Sequence, residues 1–433
     1  MLFPRRLTLA LLCAPAIGLA VSHAVAAQSA PSLSLAETVA LATTHAGDAE
    51  SSRGSVEAAV QMAVAAGQLP DPILKLGLNN VPVNGPDQFS LSRDSMTMRS
   101  VSVMQEFTRA DKRRAKAARF EAEAAAAEAQ RAVGLANVQR NAVGAWLDRW
   151  YAEQTGVLLG HHGHPIELAL QAATAAYRSG RGSRADVLAM ELELQKLHDR
   201  QDENRAAVAT ATLNLQRWVG ADANRPLSDR PPLDVPLHIQ QIAKGELETV
   251  PEMAAAQREV ALAESEIRIA TEAKKPDLTV ELEYSQRGSA YSNMASINVS
   301  FPVPWDRGNR QDRDVAAKLA QANEARAKSE IIRRNTQAMV GTKLAELQRN
   351  LERLKRYDER TLPLATSQAD AALTAYRANT GTLLAVAEAN HRAIDMKVER
   401  LTLEAKTAKL WADLTFLVPL PTAQTEPAIK EFK

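Results

Sequence analysis

The chain has 433 residues, of which 45% are hydrophobic but only 4% aromatic, and its 52 Lys and Arg against 51 Asp and Glu leave a formal net charge of +1. That balance gives no electrostatic case for binding nucleic acid or an acidic surface. Few aromatics among many Ala, Glu, Gln, Arg and Lys is the composition of long packed helices rather than of ordinary globular domains.

Met1 to Ala27 carries Arg5 and Arg6, an apolar run from Leu7 to Val21 and the small-residue triplet Val25-Ala26-Ala27. This is the form of a secretory signal, and it predicts a mature chain starting near Gln28, outside the inner membrane. The only cysteine, Cys13, falls inside it, behind Leu11 and Leu12, which are too large for a lipoprotein cleavage box. The mature chain is therefore expected to have no thiol, no disulfide, no Cys metal site and no acyl anchor. After the signal no apolar run reaches the roughly 18 residues of a spanning helix, so a membrane crossing would have to use strands.

Leu33 to Gln68 has apolar residues at helical spacing, with Ser34 as a cap and Gly67 as a stop, which predicts one helix bent near Gly47 or Gly54. A strand over about 72–80 follows, with Leu74, Leu76 and Leu78 on one face and Lys75, Gly77 and Asn79 on the other. After a loop rich in Asn, Pro, Gly and Asp, a second strand over about 96–107 sets Val101 and Val103 opposite Ser100 and Ser102, completing a hairpin. From Ala110 to Ser179 a continuous helical pattern contains one proline, Pro165. At 1.5 Å per residue its ~70 residues make a rod roughly 100 Å long.

The rod stops in AYRSGRGSRADV, Ala176 to Val187, a segment written again as AYRANTGTLLAV, Ala375 to Val386, 199 positions later. Gly180 and Asn379 correspond, and both residue types tolerate a left-handed backbone, so each copy predicts the bend of a helical hairpin. Ser183 to Val219 forms the return helix, 220–250 an irregular linker holding four prolines, and Pro251 to Lys274 a further helix. The scheme then repeats: strands over about 277–285 and 293–303, a rod from Gln311 to Ala378, the second bend, a return helix from Thr382 to Leu414 and a Pro-bearing tail. Pro165 and Pro363, and Pro70-Asp71 and Pro276-Asp277, hold equivalent places, so the halves read as one duplicated unit.

Four strands of about ten residues, greasy on one side and wet on the other, cannot close a barrel alone, since eight is about the minimum. Two hairpins packed on the helices as a soluble sheet is one solution. The other is a barrel of twelve strands from three chains, favoured because Ala-rich helices that already need one another offer no apolar surface to cover the strands.

The signal, the duplicated helix–hairpin–helix order, the Pro-Asp strand starts, the FPVPWDRGNR exit from the last strand and both Tyr-x-x-Gly-like bends together resemble the TolC-type outer membrane factor family over nearly the whole mature chain. The resemblance implies a mainly α fold with a small β part: a trimeric α-barrel/β-barrel channel-tunnel with four transmembrane strands per chain and two internal repeats. Their spans would be 1–27 for the signal, 28–250 for the first repeat and 251–433 for the second. It also implies a homotrimer in outer membrane lipid, reaching into the periplasm, as a passive conduit that works with a periplasmic adaptor and an inner-membrane RND pump. The segment NNVPVNG…MTMRSVSVMQEF further resembles the heavy-metal efflux branch, of the CzcC and CusC type. That would make the cargo heavy-metal cations; export of drugs or other small molecules is the alternative within the family, and a soluble periplasmic coiled-coil scaffold the alternative outside it.

By this resemblance Tyr177, Gly180, Gly182, Ser183 and Asp186, with Tyr376, Asn379, Gly381 and Thr382, belong to the periplasmic tip that contacts the adaptor. Ser183 and Thr382 as plain helix caps account for the same residues structurally. Family channels narrow near the tip with rings of carboxylates; Glu388 stands where one acid is expected and Ala385 where the other is. Lys75, Glu281, Glu283 and Asn298 share the polar strand face and would line the lumen, two acids against one base favouring cations. His161, His162 and His164, and the soft Met96, Met98 and Met104, invite a metal reading. A local helix irregularity or solvated patch, and strand packing, are the readings preferred for them, and neither group is assigned as a metal site. Without a Gly-rich phosphate loop, an HExxH or a GxSxG, nothing assembles a nucleophile and no cofactor is expected, so the chain is not expected to be an enzyme.

Overall fold

The computed structural model describes residues 31–420 apart from 46, 162 and 229. The expected signal segment, His162 and the tail beyond Leu420 lie outside the described residues. Helix α1 (Leu35–His45) starts where the Ser34 hydroxyl accepts the Glu37 backbone N–H at 3.1 Å, the cap its sequence predicts. Helix α2 (Gly47–Ala66) continues it, so the expected single helix divides beside Gly47. Strands β1 (Ile73–Asn79) and β2 (Met98–Phe107) form the first hairpin, β2 starting two residues later than expected.

The first rod is not continuous. Helix α3 (Ala110–Gly160) ends in a turn at His161 and α4 (Gly163–Arg178) starts afresh. Pro165 explains the break: it has no N–H to give the preceding turn and its ring crowds a carbonyl four residues back, whereas in the first turn of a new helix it costs little. The second rod meets the same problem differently. Helix α8 (Gln311–Arg356) widens into a single π turn, Tyr357–Thr361, directly before Pro363, and α9 (Leu362–Arg377) carries on. The return helices are α5 (Arg184–Val219) and α10 (Leu383–Thr415). The expected irregular linker holds a 3-10 turn, Gly220–Asn224, and a short helix, α6 (Leu237–Ala243), before α7 (Pro251–Ala273).

Strands β3 (Leu278–Gln286) and β4 (Met294–Ser300) make the second hairpin. The ladder stops at Ser300, short of the expected end at 303, because Pro302 and Pro304 have no N–H to continue it. The two hairpins do not stay apart: β2 pairs antiparallel with β3, giving one sheet in the order β1-β2-β3-β4. In this register Leu74, Val103, Leu282 and Ile297 share one face, while Lys75, Ser102, Glu283 and Ser296 share the other.

Below the sheet, α2 lies along α3, and α7 is wedged between α3 and α8. Glu266 on α7 ties the wedge, accepting from Arg119 Nε at 2.9 Å and reaching Lys318 Nζ at 3.3 Å. Burial tends to raise its carboxyl, but the hydrogen bonds from Arg119 and Lys318 outweigh that and hold it below the usual carboxylate range. The true core is a collar around the middle of both rods, where Leu33, Trp146, Leu215, Ile239, Leu347, Trp411 and Phe416 pack together. Trp146 donates its indole N–H to the Leu33 carbonyl at 3.1 Å, which anchors the chain's described start to α3.

Candidate functional site

Both bends are built to one plan. At the first, Gly180 N–H donates to Tyr177 O at 3.0 Å, while Arg181 and Gly182 N–H share Ala176 O at 2.9 and 3.1 Å. At the second, Asn379 N–H donates to Tyr376 O at 3.0 Å, while Thr380 and Gly381 N–H share Ala375 O at 2.9 and 3.1 Å. Gly180 and Asn379 carry the positive φ this closure needs, 71° and 55°. Gly182 and Gly381 are glycines for another reason: a β-carbon on them would lie 3.0 and 3.1 Å from Ala176 Cβ and Ala375 Cβ. The caps differ. Ser183 and Asp186 form a full capping box, whereas Thr382 accepts only the Ala385 N–H, at 3.2 Å. Hydrogen bonds from the Ser183 side chain and backbone hold the Asp186 carboxyl below its ordinary value.

The bends lie level at one end. Helices α5 and α10 run side by side, joined by Arg200 to Asp395 at 2.9 Å and by His391 Nδ1 to Glu193 at 3.3 Å. Glu388 projects from α10 nearby, exposed, with Arg392 Nη2 4.0 Å from its carboxylate. Further up, Arg400 spans α10 and the π turn, donating to Asp358 at 2.8 Å and to Glu404, and the Tyr357 hydroxyl donates to Glu399 at 3.0 Å. Glu404 is buried, and also takes Arg230 Nε at 2.5 Å and the Tyr151 hydroxyl at 3.4 Å. Burial, then the Glu404 charge, push the Tyr151 phenol up, so it stays a donor.

None of these ties was expected from the sequence. Glu193 and His391 stand 198 positions apart, and only the four-residue spacings on α10, Glu388–Arg392, His391–Asp395 and Arg400–Glu404, are local signals.

At the other end the apolar sheet face is bare. Leu76 is 78% exposed, Ile297 72% and Trp305, in the exit from β4, 92%, with Leu74, Leu282, Tyr284 and Val299 exposed beside them. Among the described residues no helix covers this face, which disfavours the alternative of a sheet packed on the helices. On the polar face Lys75 Nζ reaches Glu281 Oε1 at 3.2 Å, and Ser102 donates to the same oxygen at 2.7 Å. Lys75 thus neutralises Glu281, leaving Glu283, which accepts from Ser285 at 2.9 Å, as the unmatched acid of the expected trio. Asn298 pairs across the ladder with Glu281.

The expected metal candidates do not gather. Met98 opens β2 and Met104 lies six residues further on, ~20 Å away along the strand, where its sulfur accepts from Lys75 at 3.4 Å. Met96 is exposed before the strand, and His161 and His164 flank the break between α3 and α4. Among the described residues no three His, Cys, Asp or Glu side chains stand where they could hold a metal ion, and no helix is long and apolar enough to cross a membrane.

No family model matches the chain, and no curated protein matches it. Solved structures do resemble it. A membrane protein from Pseudomonas aeruginosa superposes with a TM-score of 0.75 at 14% identity, covering 89% of this chain and 93% of that one. CusC, known from structures bearing on folding and transmembrane channel formation, gives 0.72 at 13%, covering 89% and 92%. The CmeC outer membrane channel of Campylobacter jejuni gives 0.68 at 14%, covering 92% and 89%. At such identity the likeness is one of fold. The architecture is the TolC-like α/β channel-tunnel, and the solved structures that share it include outer membrane channels.

Proposed function

We propose that this protein is the outer membrane channel of a tripartite efflux system, a passive conduit from periplasm to exterior. The observation that carries the reading is the bare apolar face of a four-stranded sheet whose two edges, β1 and β4, are both open. An open edge invites another strand. The strands alternate in direction from β1 to β4, so β4 of one chain meets β1 of the next antiparallel, and three chains close a twelve-stranded barrel. The nine residues of β3 rise ~30 Å, which tilted by ~40° covers the ~25 Å apolar band of an outer membrane. Trp305 would then sit at the periplasmic boundary, where indoles prefer to lie.

In this reading the chain is two copies of one unit, 28–250 and 251–433, and the rods form the periplasmic tunnel. The bends, with Tyr177, Gly180, Gly182, Ser183, Asp186, Tyr376, Asn379, Gly381 and Thr382, form the tip that meets a periplasmic adaptor beneath an RND pump, and Glu388 narrows the closed mouth. Heavy-metal cations are the proposed cargo, supported by the resemblance of the β1–β2 segment to the metal-efflux branch. Lys75, Glu281, Glu283 and Asn298 would line the lumen.

Apart from Cys13 the chain has no cysteine, which makes the test clean. A cysteine at position 76 on β1, paired with cysteines scanned along β4, should give a disulfide ladder ending at trimer in the outer membrane fraction. Protein found only in the soluble periplasm without a ladder defeats the channel. Deletion should sensitise cells to divalent metals; sensitivity to drugs alone would keep the channel and discard the metal cargo.

A further inference from the structure

Charge is nearly balanced over the chain as a whole, but not at the first bend. Arg178, Arg181 and Arg184 stand there, all exposed, and none has a carboxylate partner among the described residues. Arg181 Nε meets only the Ser179 hydroxyl, at 3.2 Å. The bend's one acid, Asp186, is committed to its cap, accepting from Ser183 N–H at 3.1 Å and Ser183 hydroxyl at 2.7 Å. The next acids, Glu191 and Glu193, lie at least ~10 Å beyond Arg184 along α5, and Glu193 is paired with Lys196 at 2.8 Å.

Helix energetics accounts for only one of the three. Arg178 is in the last turn of α4, where a cation complements the helix dipole, as Arg377 does on α9. Arg184 is the first residue of α5, the end at which the dipole works against a cation, and Arg181 lies in the turn. The second bend has the same backbone but carries Thr380 and Leu383 at the matching positions. A cationic patch is thus added to one of two otherwise equivalent bends.

We propose that, of the two bends at the tip, the α4–α5 bend is the principal docking point for the periplasmic partner, through carboxylates that the partner bears there. Arg178, Arg181 and Arg184 would take those carboxylates. This rests on the reading of the bends as the docking end. Arginine presents a planar fork that matches a carboxylate with two parallel hydrogen bonds. Exposed Tyr177 and Leu188 flank the three arginines, so the patch joins apolar contact to charge, as protein interfaces do.

The test places a photo-cross-linking residue at Ser179 or at Thr380 of the full chain in cells and identifies what each captures. The captured partner is then purified and its affinity for detergent-extracted protein measured at 50 and 300 mM salt, for wild type, R178Q/R181Q/R184Q and R377Q. The expected result is capture of a protein from position 179 above all. The triple variant should bind about tenfold more weakly at low salt with a flattened salt dependence, and R377Q within about twofold of wild type. R181Q alone, a turn substitution that touches no helix contact, covers the case in which the triple variant misassembles; it should still weaken binding about twofold or more.

A protein captured from the tip that binds wild type and the arginine variants alike would overturn the arginine assignment and leave tip docking standing. Equal capture from 380, or capture of lipid at 179, would overturn it as well. Capture of nothing at either position would remove the docking reading itself.

Discussion

Gly180 is held at a φ of 71°, a region β-branched side chains avoid, so Gly180→Val should cost about 1–3 kcal/mol at the bend. The collar is remote from it, and the expected outcome is normal outer membrane abundance with loss of efflux, checked by immunoblot and a susceptibility assay. Glu404 offers the opposite case, a buried carboxylate shared by Arg230, Arg400 and Tyr151. Glu404→Ala strands those donors and should destabilise the protein by about 3 kcal/mol, read as an earlier urea midpoint for the detergent-extracted protein. The Asp186 cap responds to pH. Its carboxyl is lowered in the folded state, so its contribution is full above the ordinary Asp range and fades as pH falls through the lowered value. Amide exchange in the first turn of α5 should therefore quicken on acidification below about pH 4, while that of α10, capped by Thr382 without a carboxylate, should not. The positive φ at Gly180 and Asn379 was legible because only a few residue types tolerate it. The demand on Gly182 was not, because it comes from Ala176, whose approach exists only once the turn has closed.

The strands make the sharpest prediction among the elements. Ile297 and Asn298 are neighbours on β4 with opposite faces, so Ile297→Arg should impair assembly by about 2–4 kcal/mol if it lies near the membrane midplane, and Asn298→Arg should be tolerated. Equal effects, judged by outer membrane yield, would refute the facing. All four strands were legible because alternation has a period of two that survives in short segments. Their joining into one sheet was not, since the β2–β3 pairing links residues more than 170 positions apart, as in Ser102 opposite Glu283. The rods show a related limit. Pro165 and Pro363 were visible at equivalent places, yet one produces a break and the other a π turn. Flanking residues decide this: Gly160 and Gly163 give up the helix cheaply, whereas Tyr357 and Asp358 are held to α10 by Glu399 and Arg400.

At the scale of the whole molecule, one chain leaves several surfaces uncovered. Its collar is a closed core, but the apolar sheet face, the two open strand edges and the level bends all lack a counterpart within it. The proposed duplication would explain why the second half repeats the elements of the first, and in the proposed trimer two bends per chain become a ring of six. The electrostatic expectation changes with the observed Lys75–Glu281 pair. Lys75→Gln should raise cation selectivity in planar bilayers, and Glu283→Gln should lower it. The central claim, that three copies close a twelve-stranded barrel above a helical tunnel, is tested most directly by single-particle electron cryomicroscopy of protein extracted from the outer membrane. The account predicts a three-fold particle with β4 of each chain hydrogen-bonded to β1 of the next and six bends at the far end. A monomer, or an assembly in which the face of Leu76 and Ile297 is covered by helices, would contradict it.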